Sequence, residues 1–213
     1  MTALAISVVD VTVDRFATSP HLTAELCLDE TTGAVVHAVA LRCQLMIEPQ
    51  RRPYDGAEAS AVADVFGARD RWSQTLKPFV WMHAATVTPG LTGRLQVNLP
   101  LPCTYDLDVV GAKYLHAVRE GDVPLRFLFS GTVFSRGDSG FTVEQLSWDL
   151  EATHRMPVAT WRTMMETFFP RTSYLRFTRE TISELLRFKA ERGLTSWDEV
   201  MRDLLQAAPE PVR

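Results

Sequence analysis

The chain has 213 residues and a mass of 23.9 kDa, the size of one large domain or of one domain with an appendage. Its content of 46% hydrophobic and 23% charged residues is typical of a folded globular protein and excludes intrinsic disorder. The formal net charge of −4 and the pI near 5.7 argue against a nucleic-acid partner, because binding to phosphate backbones requires clustered Lys and Arg.

The N-terminus and the cysteines bear on the cellular compartment. The first residues carry no basic segment, and Ser7 and Asp10 interrupt the apolar stretch that a signal peptide would need. No stretch approaches the roughly 20 uninterrupted apolar residues of a membrane-spanning helix. Cys27, Cys43 and Cys103 are odd in number and widely spaced, which is typical of free thiols in a reducing compartment. We therefore expect a cytoplasmic protein without membrane insertion.

The first part of the sequence alternates apolar and polar residues, as β-strands with one buried face do. Over residues 6–13 the apolar phase changes halfway, which predicts a β-bulge or an edge strand. Two further strands are predicted over 22–28 and 35–47, and the odd positions of the second are expected to face the core. Residues 29–33 have the chemistry of a hairpin loop, so we expect these two strands to be antiparallel neighbours.

The alternation stops between residues 55 and 77. Asp55 and Glu58 have the spacing of a helix cap, and apolar residues then recur at helical spacing up to Gly67. A further helical turn ends before Pro78, because the residue preceding a proline avoids helical geometry. We expect a short helical insertion here that covers one end of a sheet.

Strands resume after this insertion, and the next two are expected to form a second hairpin. Residues 106–118 fit either a strand or a helix, and we favour a strand because the turn-forming residues 120–122 follow it. With this segment the sequence predicts about eight strands. The other strands of this part are 79–87, 95–99, 125–133 and 141–148.

After residue 150 the apolar period changes from two to about 3.6 residues, which is typical of helices. One helix is predicted between Pro157 and Pro170 and a second from Thr178 to Gly193. A third follows Thr195 and Asp198, whose spacing resembles a capping box.

These elements predict an α+β protein. Residues 1–150 are expected to form an antiparallel β-sandwich of seven to nine strands with a helical insertion at about 55–77, and residues 151–213 a helical segment packed on the sandwich. An open sheet with helices on one face is the alternative architecture.

The five histidines stand far apart in the sequence, and there are no paired Cys or His residues at the spacing of a metal site. We therefore predict no resident metal or cofactor. His37 and His83 fall on the apolar phase of their strands, where a polar side chain needs a partner, so both are candidate ligand-binding residues. A hydrogen-bonded core histidine is the simpler interpretation.

Cys103 and His116 are the remaining candidates for ligand binding or chemistry. A nucleophilic cysteine needs a base, and His116 is the nearest histidine in the sequence. Because no motif orients the two side chains, we predict that the protein is not an enzyme. Trp161 and Trp197 either dock the C-terminal helices on the sheet or, if they face outward, form a candidate interaction surface.

Several stretches resemble an uncharacterised bacterial family of about this length, and the similarity extends over nearly the whole chain. Genes of that family are associated with clusters that encode nickel-iron uptake hydrogenases, so the resemblance implies a role in hydrogenase assembly or maturation. It supplies no catalytic residues. The stretches are HAVALRC (37–43), IEPQRR (47–52), PCTYD (102–106), AKY (112–114), FSGTVF (129–134) and WD (148–149).

The functional expectation is a non-enzymatic cytoplasmic accessory protein that binds another protein, with hydrogenase components as the expected partners. The alternative is a protein that binds a metal ion or a small ligand. That alternative is motivated by His37 and His83 and by the adjacent Met164 and Met165.

Overall fold

Alternating apolar residues assemble into antiparallel β-strands, and amphipathic segments form α-helices. The computed structural model describes residues 3–104, 106, 109–137, 140–172 and 175–207. Its strands are β1 (Leu4–Val13), β2 (His21–Glu30), β3 (Val36–Ile47), β4 (Phe79–Thr88), β5 (Arg94–Pro102), β6 (Asp122–Gly137), β7 (Gly140–Gln145) and β8 (Glu151–Pro157). Its α-helices are α1 (Gly56–Ala61), α2 (Ala63–Phe66), α3 (Trp72–Thr75), α4 (Val110–Ala117), α5 (Val158–Phe168), α6 (Arg179–Glu191) and α7 (Trp197–Ala207).

The strands form two antiparallel sheets. One has the order β1-β2-β5, and the other has the order β4-β3-β6-β7, with β8 also paired to β6. Leu26 of the first sheet and Leu45 and Phe127 of the second are inaccessible to solvent and belong to one continuous hydrophobic cluster. The predicted α+β class is confirmed, and the two sheets share one core, as those of a β-sandwich do.

Both predicted hairpins are wrong, because the two strands of each lie in different sheets: β2 is separated from β3, and β4 from β5. β2 pairs with β1 and β5, whereas β3 and β4 pair with each other. The Glu30 carboxylate accepts hydrogen bonds from the backbone N–H groups of Thr32, at 3.0 Å, and Ala34, at 2.9 Å. This side chain replaces the turn bonds of a hairpin, so the chain crosses to the second sheet instead of folding back.

The bulge predicted in β1 is confirmed. Val8 pairs with Leu26 and Asp10 with Glu25, which leaves Val9 as the extra residue on β1. Ile6 and Val11, on either side of the bulge, can therefore both point into the core, although they differ by an odd number of residues.

Two predicted element types need correction. The segment 106–118 contains helix α4 and not the predicted strand, because Gly111, Tyr114, Leu115 and Val118 are buried at helical spacing. Residues 107 and 108 lie outside the described residues. The change from strands to helices also comes after β8 and not at residue 150, since β8 pairs with β6 over its whole length.

The predicted helical insertion contains α1, α2 and α3, and Asp55 caps α1 as expected by accepting a bond from the Glu58 N–H at 2.7 Å. A buried ion pair fixes the insertion: Arg52 donates to both Glu58 carboxylate oxygens at 2.9 Å. Glu58 also accepts from the backbone N–H of Arg119 at 2.6 Å, which ties α1 to the segment between α4 and β6.

The chain divides into two compact units, Met1–Tyr174 and Leu175–Arg213. The second unit holds α6 and α7. Helix α6 starts after Thr178 and is followed by Gly193 with a φ of 63°, both as predicted, and the Thr178 hydroxyl caps it by accepting from the Thr181 N–H. The cap of α7 lies one residue later than predicted: Ser196 accepts from the Glu199 N–H, and Glu199 accepts from the Ser196 N–H. In the described residues no helix is long and apolar enough to span a membrane.

Candidate functional site

Helix α5 presents two different faces within the first unit. Its buried face carries Trp161, 1% exposed, and Met164, fully buried. Its other face carries Arg162 and Glu166, which lie four residues apart and are both exposed to solvent. This amphipathic pattern anchors the helix in the core and places a pair of opposite charges along its outer edge.

Helix α4 brings a histidine against the buried tryptophan. The His116 ring lies 6.0 Å from the Trp161 ring, centroid to centroid, with the two planes at 89°. Trp81 of β4 contacts Trp161 in the same edge-to-face manner at 6.2 Å. A Cβ atom at Gly111 would lie 2.7 Å from Trp81, so only glycine allows α4 to approach this tryptophan so closely.

A groove of about 500 Å³ opens between α4, α5 and the segment that follows α5. We refer to it as the α4/α5 groove. Its apolar lining is formed by Leu115, Trp161, Met165 and Phe169. Its polar lining is formed by His116, Arg162, Glu166, Arg171 and Thr172. The size lies within the usual range of small-molecule and peptide side-chain pockets.

The indole Nε1 of Trp161 has no hydrogen-bond acceptor in the described part of the chain. Three other buried nitrogens share this property, but their side chains have carboxylate neighbours: Arg52 binds Glu58, Arg126 lies 3.3 Å from Glu48, and His154 lies 3.9 Å from Asp10. Trp161 is surrounded by aromatic rings instead. A buried donor without an acceptor costs roughly 1–3 kcal/mol, and the aromatic packing around Trp161 compensates part of that cost.

Two guanidinium groups give the groove a positive character. Arg162 donates to the Val118 carbonyl at 3.3 Å, and Glu166 lies one helical turn away from it. Arg171 is exposed, and none of the described carboxylates pairs with it. Its φ of 55° makes it the one non-glycine residue with positive φ among those described. Such a conformation costs an arginine about 1–2 kcal/mol.

His116 is exposed at the surface of α4, but one side of its ring lies against apolar material. Burial of that side disfavours the charged imidazolium and lowers the pKa of His116 below its usual value of 6.5. The ring is therefore neutral at pH 7 and offers one N–H donor and one acceptor nitrogen to the groove.

His37 and His83 do not occupy the buried positions predicted for them, because two β-bulges reverse the phase of their strands. His37 is itself the extra residue, since Val36 pairs with Ser135 and Ala38 with Phe134. In β4 the extra residue is Trp81. Both histidines are exposed. His83 lines a separate depression of about 430 Å³ on the outer face of the five-stranded sheet.

Cys103 is half-buried at the end of β5, where its thiol donates to the Leu101 carbonyl at 3.4 Å. Burial raises the pKa of Cys103 to about 12, so the group is a neutral thiol at pH 7 and lacks the thiolate that a nucleophile requires. All three cysteines are free, as expected from the sequence.

The two candidate tryptophans have different surroundings. Trp161 is a core residue beneath the α4/α5 groove and not an exposed interaction surface. Trp197, in the second unit, is 43% exposed, with the Lys189 ammonium 5.2 Å from its ring centre. Of the six candidate site residues, the structure brings His116 and Trp161 together, and Met165 of the methionine pair lines the same groove.

Metal-ion binding has little support in the described residues, where no three His, Cys, Asp or Glu side chains are placed to hold an ion. A second cavity has a volume of about 560 Å³. It is lined by residues of the helical insertion, by the turn that leads into β6, and by Arg155 of β8. Two ion pairs lie in its lining: Arg52 binds Glu58, and Arg155 lies 3.5 Å from Asp122. We attribute this cluster to anchoring of the insertion.

Sequence reasoning missed Arg162, Glu166 and Arg171. The spacing of Arg162 and Glu166 is that of any solvated helix face, so it carries no specific signal. Arg171 follows Pro170 directly, and nothing in that dipeptide indicates its left-handed backbone conformation.

Several solved structures are distantly similar to this chain. A putative late embryogenesis abundant protein has a TM-score of 0.35 at 10% identity, covering 73% of this chain and 71% of that one. AggA, the major subunit of aggregative adherence fimbriae type I from Escherichia coli, has a TM-score of 0.29 at 10% identity, with coverage of 73% and 95%. A β-glucosidase from Kluyveromyces marxianus has a TM-score of 0.25 at 10% identity and covers 73% of this chain, which spans 15% of that enzyme.

These low scores carry no argument about function. No curated protein matches the sequence. A family model, by contrast, matches residues 1–213 without interruption. The chain belongs to DUF6084, a family of unknown function.

Proposed function

We propose that this chain is a non-enzymatic accessory protein that binds another protein, and that the α4/α5 groove is its binding site. The observation that carries the proposal is the exposed Arg171 guanidinium, which has no carboxylate partner among the described residues and lies beside an apolar lining that includes Trp161 and Met165. An acidic group of a partner gains an ion pair with Arg171, and an apolar neighbour of that group gains contact with the lining.

The non-enzymatic part of the proposal is supported by the state of the candidate groups. The pKa of the Cys103 thiol is raised to about 12, and the pKa of His116 is lowered, so a thiolate–imidazolium pair is disfavoured at both ends. His37 and His83 are exposed on a sheet face and lie outside the groove lining.

We propose further that the partner is a component of nickel-iron hydrogenase assembly or maturation in the bacterial cytoplasm. The support for this step is the resemblance to a family associated with hydrogenase gene clusters. The proposal of a binding groove does not depend on it.

Site-specific photo-crosslinking in the native host, under hydrogenase-expressing conditions, tests both steps. A benzophenone amino acid at position 171 lies in the groove, and the same group at exposed position 136, on β6, is the matched control. We expect one discrete crosslinked protein from position 171 and none from position 136. Equal products from both positions, or none, would contradict groove binding. A partner unrelated to hydrogenases would overturn only the second step.

A small anionic ligand is the second candidate occupant, because a volume of about 500 Å³ suits a small molecule as well as peptide side chains. Native mass spectrometry of the purified chain discriminates the two. A stoichiometric small molecule that persists through purification supports this alternative. Ligand-free protein that still yields the crosslinked partner supports protein binding.

A further inference from the structure

We infer that the α4/α5 groove recognises an acidic side chain next to an aromatic or aliphatic residue in the partner protein. This inference rests on the proposed function and names the chemistry of the partner segment.

The charge of the groove favours one carboxylate. Arg162 is partly engaged by the Val118 carbonyl and lies one helical turn from Glu166, so these two side chains offset each other. Arg171 then remains as the guanidinium without a carboxylate partner among the described residues. A planar guanidinium binds a carboxylate through two parallel N–H donors.

The same charges disfavour a phosphate group. A phosphate carries a charge of about −1.5 to −2 at neutral pH, and it would face the Glu166 carboxylate with a single free guanidinium to neutralise it. A carboxylate leaves the groove close to neutral when it is bound. Phosphoserine in place of the acidic residue is therefore an outcome that the test includes.

The apolar lining requires an apolar neighbour for that carboxylate. Met165 and Phe169 are half-buried, and both contribute side-chain surface to the groove beside Trp161. Burial of an aromatic or aliphatic residue against them gains about 25 cal/mol per Å² of apolar surface removed from water. The charge on Arg171 then selects partners, and the apolar contact supplies affinity.

The Arg171 guanidinium also separates a charged side chain from a neutral one of the same shape. A carboxylate gains an ion pair with it. An uncharged amide gains no ion pair. The expected selectivity is therefore Glu or Asp over Gln or Asn.

Fluorescence polarisation with the full chain tests the inference. The probe is a pool of labelled, C-terminally amidated peptides with a central Glu flanked by Phe, Leu or Met. The comparison pools replace Glu by Gln, replace Glu by phosphoserine, or replace both flanking residues by Ser. We expect the Glu pool with apolar flanks to bind at least about tenfold more tightly than each of the others, a difference of about 1.4 kcal/mol.

The variant Arg171→Gly locates the binding. It removes the guanidinium while glycine accepts the positive φ, so the fold is retained, and affinity for the Glu pool should fall at least about tenfold. Arg136→Ala, on exposed β6, should bind as the wild type does.

Three results would overturn the inference: equal affinity for the Glu and Gln pools, tighter binding of the phosphoserine pool, or no measurable binding of the Glu pool. If position 171 still crosslinks to a partner in cells, the proposed function stands and only the acidic chemistry fails. If neither occurs, both fail. Binding of a peptide that ends in a free carboxylate, but not of the amidated Glu pool, would assign the groove to protein C-termini and would also overturn the inference.

Discussion

The anchor of the helical insertion and the α4/α5 groove differ in how their charged groups are paired. At the anchor the buried hydroxyl of Tyr114 bonds to that of Tyr54 at 2.9 Å, and the buried Glu58 carboxylate accepts bonds from Arg52 and from backbone N–H groups. In the groove the Arg171 guanidinium has no carboxylate partner among the described residues, and its backbone is held at an unfavourable φ. The anchor stabilises the fold, whereas the groove keeps a charge available to a partner at a cost in backbone strain.

The largest expected effect lies in the five-stranded sheet, where Gly131 has a φ of 153°. A Cβ atom at this position would lie 2.2 Å from the Ala40 carbonyl oxygen, so the paired strands must separate. We expect Gly131→Ala to lower the free energy of unfolding by more than about 3 kcal/mol, measured by urea denaturation.

The matched control is Gly56→Ala, at the first residue of α1, where an added Cβ would meet nothing within 4 Å. Its stability should stay within about 0.5 kcal/mol of the wild type. Wild-type stability of Gly131→Ala would mean that β3 and β6 do not approach each other as described.

The next effect tests whether the two sheets share one interior. Leu26 of β2 and Leu45 of β3 are both fully buried in the same cluster. Replacing either by Ala should cost about 3 kcal/mol and leave a single unfolding transition, seen at the same denaturant concentration by far-UV and near-UV circular dichroism. A variant in which one sheet unfolds before the other would show separate interiors.

A smaller effect distinguishes the two residues at the start of β3. Val36 is 1% exposed and faces the core, whereas His37 is the bulged, exposed residue. Val36→Ala should cost about 2 kcal/mol, and His37→Ala less than about 0.5 kcal/mol. If His37→Ala lowers the melting temperature more than Val36→Ala does, His37 and not Val36 faces the core, as alternation alone would predict.

The bulges show how far the sequence determined the fold. In β1 the bulge could be predicted because Ile6 and Val11 lie on opposite phases of a single apolar pattern. In β4 the residues before His83 are continuously apolar, so alternation cannot show that Trp81 is the extra residue. The existence of β1 and β4 followed from local pattern, whereas the phase beyond the bulge in β4 followed from pairing with a distant strand.

Sheet membership was unpredictable for a related reason. The residues after β2 have the composition of a hairpin loop, but the Glu30 carboxylate takes the backbone N–H groups that a hairpin would use. Of the candidate site, His116 was predicted as a ligand-binding residue, and Trp161 as a residue that either docks its helix or forms an interaction surface. Their contact arises from the packing of α4 on α5, which lie more than 40 residues apart, and no local signal encodes it.

The groove should respond to substitution with the opposite sign from the core. Because glycine adopts a positive φ without cost, Arg171→Gly should raise the free energy of unfolding by up to about 1 kcal/mol. Arg171→Ala removes the same guanidinium but keeps a Cβ atom in the left-handed conformation, so it should show no gain. Equal stability of the two variants would indicate that the backbone of residue 171 is not strained.

The smallest effect is the pH dependence that His116 contributes. Its pKa is lowered in the folded chain, so between the unfolded value of about 6.5 and the folded value the unfolded state binds more protons. Stability from this group is therefore complete above pH 6.5 and is lost as the pH falls through that window.

The pKa of His154 is lowered as well, so the wild type alone cannot separate the two residues. The difference in melting temperature between the wild type and His116→Asn isolates His116, and it should shift in favour of the variant from pH 7 to pH 5. A difference that does not change with pH would mean that the imidazole is fully solvated and does not rest against Trp161, which would remove the aromatic wall from the groove.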